Sequence, residues 1–331
     1  MRINDFKTIS NSFIFLYLPL PNTSIMADYP LVSIIAINFN QLQVTIEFLR
    51  SVSKISYPNY EVIIVDNASK EDTSAFLKQQ FPEFIFIRSD ENLGFAGGNN
   101  LGIRNAKGEY FMLLNNDTEV DAGFLEPMVE AMQTNPKIGM VGSKVRFYDS
   151  PETIQFAGAT PMTKYTATSH FIGHNQKDVG QYDQQTITPF ASGAAMMTSR
   201  SVCKKVGLMA EFFFLYYEEL DWQERIRKAG YEIHYIPQSL VFHKESISVG
   251  KNSPLQAYWK SRNRLLLIRR NYSQFNIFIS FLFLTFVSYP YHLLKYIARR
   301  DRVSIKVHSI ALGWHYFNAF NMKRIHQNDY L

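Results

Sequence analysis

A chain of 331 residues, 46% hydrophobic and 19% charged, has the composition of one large or two smaller globular domains and excludes a disordered polymer. Its single cysteine, Cys203, excludes an internal disulfide framework and a cysteine-rich zinc site, and fits a reducing, cytoplasmic setting. The net charge of +5 is unevenly spread: residues 1–250 carry 21 Lys and Arg against 27 Asp and Glu, whereas residues 251–331 carry 13 against 2. The basic tail points to an anionic membrane surface. No aromatic-basic repeat suited to base stacking occurs in the rest of the chain, which argues against nucleic acid.

Residues 1–30 read as an N-terminal extension outside the fold. FIFLYLPL (13–20) is too short to span a bilayer, no small-residue cleavage site clearly follows it, and Met26 is an alternative start just before the first strand. From Leu31 the pattern is regular. LVSIIAI (31–37) predicts a buried strand, 41–55 an amphipathic helix, EVIIVD (61–66) a second strand, 71–80 a helix and FIFIRS (84–89) a third strand. A Gly-rich turn, NLGFAGGNN (92–100), then leads into a helix ending near Ala106. EYFMLLNNDT (109–118) is the fourth strand: its continuous apolar half is how a strand buried on both faces reads. Alternating strands and helices of this length imply right-handed βαβ units and a Rossmann-like, mostly parallel α/β sheet.

Polar residues then fall at the carboxyl ends of three strands: Asn38-Phe39-Asn40, Asp66-Asn67-Ala68-Ser69 and Asn115-Asn116-Asp117. That edge is where open α/β sheets bind ligands. Asp117, beside amides and a hydroxyl, offers hard oxygen ligands suited to Mg²⁺ or Mn²⁺ carrying a substrate diphosphate; it also suits an ordinary capped turn. Asp66 either caps the following turn or accepts hydrogen bonds from a base or ribose. The 92–100 segment lacks the GxGxxG spacing and the GK[ST] lysine of phosphate loops and otherwise reads as a flexible loop.

Residues 121–134 predict a helix that must accommodate Pro127, and 138–147 a strand. Residues 148–190 predict loops shaping an acceptor pocket. Glu218, Glu219 and Asp221 open a helix ending at Gly230. Acids in a first turn complement the helix dipole, yet three in four positions exceed what capping needs, and a carboxylate there suits general-base work. SLVFH (239–243) is a strand ending in His243, which is either structural or a metal ligand.

In the tail, 254–272 predicts a basic helix. The 18 residues 277–294 hold no Lys, Arg, Asp or Glu but contain Pro290. They predict a peripheral or re-entrant interfacial helix pair, with a membrane span or a buried core helix as alternatives.

The ordered set AINFN, VDNAS, NLGFAGGNN, LLNNDT, MVGSKV (140–145), Ser192-Gly193-Ala194, FFFLYYEELDWQERIRKAGY (212–231) and His243 with Ser246 resembles the inverting family-2 glycosyltransferases, over about residues 31–270. Within that family it is similar to the rhamnosyltransferase-like branch of bacterial cell-surface polysaccharide assembly. The resemblance implies a GT-A type fold over 31–250, with a nucleotide-binding half at 31–120 and an acceptor half at 121–250, followed by a membrane-associated helical tail at 251–331. It also implies a nucleotide-sugar donor and a glycan or polyprenyl-linked acceptor. In this alignment Asp117 and His243 hold a divalent metal, Mg²⁺ or Mn²⁺, and Asn38, Asp66 and Asn92 hold the nucleotide. Asn40, Asn67, Gly94, Asn99 and Asn116 complete the donor site, and Ser192, Gly193 and Trp222 face the acceptor, although Trp222 shares a helical face with Ile226 and Ala229 and reads as core. Glu219 aligns with the family's base, where aspartate is commoner, and Asp221 is the competing base. The alternatives are a non-catalytic nucleotide-sugar-binding scaffold subunit, which needs none of Asp117, Glu219 and Asp221, and a nucleotidyltransferase, which lacks its Lys/Arg-rich phosphate signature here.

Overall fold

The computed structural model describes residues 29–244, 253–318 and 331. Most of the N-terminal extension, with FIFLYLPL and Met26, lies outside the described residues, as does Ser246. The first half is built as the pattern predicts: β1 (Val32–Asn38), α1 (Leu42–Val52), β2 (Tyr60–Asp66), α2 (Ser74–Gln80), β3 (Ile85–Arg88), α3 (Gly94–Asn105) and β4 (Tyr110–Leu114). Then follow β5 (Thr118–Val120), α4 (Glu126–Thr134), β6 (Ile138–Phe147), β7 (Ile154–Phe156), β8 (Thr186–Ile187), β9 (Ala195–Ser199), α5 (Arg200–Val206), α6 (Glu218–Lys228) and β10 (Glu232–His243).

All ten strands join one sheet, whose main path runs β3-β2-β1-β4-β9-β6-β10-β5. The four strands from β3 to β4 are parallel, while β9 runs antiparallel to both β4 and β6. The continuous apolar runs are explained by helices on both faces. Ile34, Val62, Ile64, Met112 and Leu114 pack toward α1 and α4, and the alternate residues Ile35, Ile63, Val65, Phe111 and Leu113 pack with α3, α5 and α6. Cys203 sits in this second layer, fully buried.

Several local expectations are corrected. The NLGFAGGNN segment is not a flexible loop: α3 begins at Gly94. Gly94 has φ +70°, and a Cβ there would lie 2.1 Å from the Phe214 carbonyl oxygen; a Cβ on Gly102 would lie 2.4 Å from Ile35 Cγ2. These glycines exist for close approach, which outweighs their poor helix propensity. The helix over 121–134 starts only at Glu126, so Pro127 falls in the first turn, where its missing N–H costs nothing. The 148–190 region contributes two short strands as well as loops. β10 tolerates Pro237 because the register with β6 shifts between Ile236 and Leu240.

The tail begins with α7 (Pro254–Asn271), continues through α8 (Gln274–Phe283), one wide π turn at Leu284–Ser288 and α9 (Tyr289–Ala298), and returns along α10 (Arg302–Phe317). From Gln274 to Ala298 the chain is one helix, long and apolar enough to cross a membrane. It is mostly exposed, which sets aside a buried core helix. The π turn lies just before Pro290, where a proline ring cannot donate to the preceding turn. Phe275, Phe278, Leu282, Phe286, Leu294 and Ile297 line the exposed surface of this helix.

Candidate active site

The carboxyl ends of β1 and β2 carry a connected amide network. Asn38, almost fully buried, accepts from Gln41 N (3.2 Å) and Thr45 Oγ1 (3.1 Å) and donates to Ser69 Oγ (3.3 Å). Asn116 donates to Thr45 Oγ1 (3.0 Å), which ties the end of β4 to the same cluster. Asn40, at φ +56°, accepts from Lys70 N (2.8 Å). Asp66 accepts from Ser69 N (3.0 Å) and pairs with Arg88. Asn67 donates to Asn92 Oδ1 (3.1 Å) and the Gly94 carbonyl (3.0 Å), fastening the start of α3. Asn99 donates to the Phe95 carbonyl (3.0 Å) within α3. Asn38, Asn40, Asp66, Asn67, Asn92 and Asn116 are thus gathered at the strand ends, whereas the Asn99 side chain bonds within α3, and most of these polar atoms hold the strand ends in place.

Asp117 follows β4 in a tight turn in which Thr118 Oγ1 donates to the Asn115 carbonyl (2.7 Å). The ladder pairs Thr118 with His243 across β5 and β10, bringing two residues far apart in sequence side by side. Asp117 Oδ1 and His243 Nε2 approach to 3.1 Å. His243 Nδ1 lies 2.8 Å from Gln155 Oε1, which only accepts, so Nδ1 donates to it. In the neutral imidazole Nε2 then turns a lone pair toward Asp117 Oδ1, which repels it, and both atoms are buried without a hydrogen-bond partner. A divalent cation relieves this repulsion, and the carboxylate and the oriented imidazole fit one. Among the described residues no group of three or more His, Cys, Asp or Glu that could hold a metal ion is found, so these two are the protein groups available to one here. Gln155, which orients the imidazole, lies on β7 in the stretch expected to be loop, and no motif marked it.

Asn115 N donates to the Ala194 carbonyl (3.0 Å), which places Ser192–Ala194 against the end of β4. Gly193 lies beside the Glu219 carboxylate: a Cβ there would be in ordinary contact, 3.5 Å from Glu219 Cγ. Glu219 Oε2 is sealed from solvent and lacks a hydrogen-bond partner. Burial pushes the Glu219 carboxyl above the usual glutamate range, opposed by N–H groups of the first α6 turn and by Lys260. Glu218 is pushed up as well, by burial first and then by the Glu219 charge beside it.

Two expectations fail here. Asp221 is not a competing base: it is fully buried and bound by Arg225 Nε (3.0 Å), Arg270 Nε (2.8 Å) and Asn271 Nδ2 (2.7 Å). Burial alone would raise its carboxyl, but Arg225 and Arg270 outweigh it and hold the group below the usual range. Trp222 does not face an acceptor. It is fully buried, with Nε1 donating to the Gly207 carbonyl (2.8 Å).

The segment before α6 is strained, with positive φ at Phe214 (69°), Tyr216 (67°) and Tyr217 (74°). Asn263 on α7 clasps it: Nδ2 lies 2.9, 2.8 and 2.9 Å from the carbonyls of Phe213, Leu215 and Tyr216. Arg262 donates to the Phe212 carbonyl. The Arg-Asn pair thus acts by shaping the turn that presents Glu219.

A mostly parallel sheet with polar strand ends, a carboxylate–imidazole pair and a desolvated glutamate defines an α/β transferase architecture of the GT-A type. A family model described as glycosyl transferase family 2 matches residues 33–207, and the chain belongs to that family. It is 25% identical over 236 residues to the N-acetylglucosaminyl-diphospho-decaprenol L-rhamnosyltransferase of Mycobacterium tuberculosis (strain ATCC 25618 / H37Rv), covering 65% of this chain and 76% of that protein. Among solved structures, GalNAc-T7 with UDP, GalNAc and Mn²⁺ superposes with a TM-score of 0.64 at 14% identity, over 89% of this chain and 58% of that one. The mannosyltransferase PcManGT of Pyrobaculum calidifontis, in complex with GDP-Man and Mn²⁺, superposes with a TM-score of 0.54 at 16% identity, over 90% and 83%.

Proposed function

We propose that this family-2 glycosyltransferase moves a hexose, rhamnose being the first candidate, from a nucleotide-sugar donor to a glycan or polyprenyl-linked acceptor, with inversion at the anomeric carbon. The observation that carries this reading is Glu219: a desolvated carboxylate with an unpartnered oxygen, on a wall continuous through Ser192–Ala194 with the strand end that bears Asp117. Asp117 and His243 would hold Mg²⁺ or Mn²⁺, which when bound would supply positive charge to the departing nucleoside diphosphate. Asn38, Asn40, Asp66, Asn67, Asn92, Gly94, Asn99 and Asn116 shape the donor cleft at the sheet's carboxyl edge. Glu219 takes the proton of an acceptor hydroxyl while its oxygen attacks the anomeric carbon, and the bond from that carbon to the diphosphate breaks with its electron pair leaving on phosphate. One such displacement inverts the centre.

The exposed apolar helix and the basic tail support attachment at the cytoplasmic membrane face, peripheral or re-entrant, where a lipid-linked acceptor is presented. The test is a panel of nucleotide-sugars scored by released nucleoside diphosphate. Metal-dependent release with at least one donor, lost in Glu219→Gln and in Asp117→Ala, is expected; full turnover in either variant rejects the role given to that residue.

A further inference from the structure

A cavity of about 520 Å³ opens between α7 and the hairpin formed by α9 and α10. Lys260, Arg264, Lys295 and Arg299 line it, against one carboxylate, Asp301. That carboxylate is already engaged as the cap of α10, accepting from Ser304 N (2.9 Å) and Ser304 Oγ (2.6 Å). His308, also on the wall, adds no charge at neutral pH, because burial first and His292 second push it down to about 4. Four cations against one carboxylate, which keeps its charge beside Arg299, leave this polar space net positive, and that favours an anion in it.

The position of the cavity says which anion. Tyr217 lines it and immediately precedes Glu218 and Glu219. Lys260 Nζ stands 4.9 Å over the Tyr216 ring, near enough to the site for its charge to act on Glu219. Gln256, on the same wall, donates to Tyr216 Oη (3.1 Å). On the outer side, Leu294 and Ile297 of the hairpin are 67% and 54% exposed, so the cavity lies between the catalytic turn and an apolar surface.

We infer that this cavity receives the phosphate or diphosphate joining the acceptor sugar to its lipid, leaving the lipid chain along the hairpin and the sugar at Glu219. The assignment rests on the lipid-linked acceptor of the preceding section. Lys and Arg are the residues that bind phosphate oxygens with charge-assisted hydrogen bonds, and the volume suits a headgroup within the usual range of ligand sites, about 300–1,000 Å³.

The test uses the full chain and three probes: inorganic pyrophosphate, phosphatidylcholine vesicles doped with a polyprenyl diphosphate, and vesicles of equal charge doped with phosphatidylserine. Lys295→Ala/Arg299→Ala removes two exposed cavity cations. Arg302→Ala/Lys306→Ala removes the same charge from exposed positions outside it. The expected result is preference for the polyprenyl diphosphate over phosphatidylserine, competition by pyrophosphate, and a loss of about tenfold or more in the cavity variant against less than about twofold in the control. Equal losses in the two variants, equal binding to both vesicle types, or capture of free pyrophosphate alone overturns the assignment. Donor turnover by the unmodified chain is scored separately: its absence sinks the transferase reading, whereas turnover with equal lipid binding in both variants sinks only the cavity.

Discussion

Glu219 and Asp221 stand two positions apart on one helix turn, yet their surroundings give them opposite chemistry. Glu219 keeps one oxygen unpartnered and a raised affinity for protons; Asp221 has both oxygens occupied by Arg225, Arg270 and Asn271. Glu219→Gln is therefore expected to lower kcat by about 10²–10⁴-fold, the usual contribution of a positioned base. Glu218→Gln, which removes a neighbouring acid but not the proposed base, should leave kcat within a small factor. Because the base must be ionised, kcat/KM should fall as pH drops through a value above the ordinary glutamate figure of about 4.3, read directly from a pH–rate profile. Asp221 predicts a stability effect instead. Its folded pKa is depressed, so its contribution is present above the unfolded value of about 3.9 and is lost as pH falls through the lower folded one. Asp221→Asn leaves two guanidinium groups without their counter-charge and should cost about 3–5 kcal/mol in denaturant unfolding at neutral pH. The acidic cluster was legible from its spacing, but the division of roles was not, since Arg270 and Asn271 lie 49 and 50 positions downstream. Gln155 was equally hidden: only the folded register shows that it sets the His243 tautomer. Gln155→Ala should weaken Mn²⁺ binding by about 10–100-fold, measured by electron paramagnetic resonance of free Mn²⁺.

At the scale of elements, α7 acts on the turn that presents Glu219. Asn263 shares its two amide hydrogens among three carbonyls of a segment whose positive φ values are unfavourable for bulky residues, and Arg262 is enclosed by the rings of Phe212, Trp259 and Trp314. Asn263→Ala should raise amide exchange across 212–217 and shift the acid limb of the pH–rate profile; slower turnover with an unchanged limb and unchanged exchange would count against this positioning role. The strands and helices of the first half were readable because a strand covered on both faces is apolar throughout, and its length then separates it from a helix. The Gly-rich segment misled for a physical reason: glycine marks both loose loops and tight contacts, and only Ile35 and Phe214 across the gap distinguish them. The antiparallel insertion of β9 left no trace in its local pattern, since AMMTS is as buried as its parallel neighbours.

For the molecule as a whole, the membrane attachment proposed for the tail can be tested directly. If its apolar surface and basic residues dock on an anionic bilayer, replacing Phe278 and Phe286 with glutamate should reduce co-sedimentation with anionic vesicles by about tenfold or more, each ring contributing about 1.5–3 kcal/mol when buried. The charge asymmetry between residues 1–250 and 251–331 made this division visible from composition, while the cavity between α7 and the hairpin needed the return of α10 to exist at all. The lone cysteine bears on how membrane docking and acceptor entry can be followed. Cys203 is fully enclosed between sheet and helices, and burial pushes its thiol up to about 12, so the reactive thiolate is scarce at neutral pH. The folded chain should take up no maleimide until it is denatured. A probe cysteine placed at Phe278 or Ser253 would then be the sole labelled position without removing the native thiol, giving a fluorescent reporter of membrane docking on one side of the hairpin and of acceptor entry on the other.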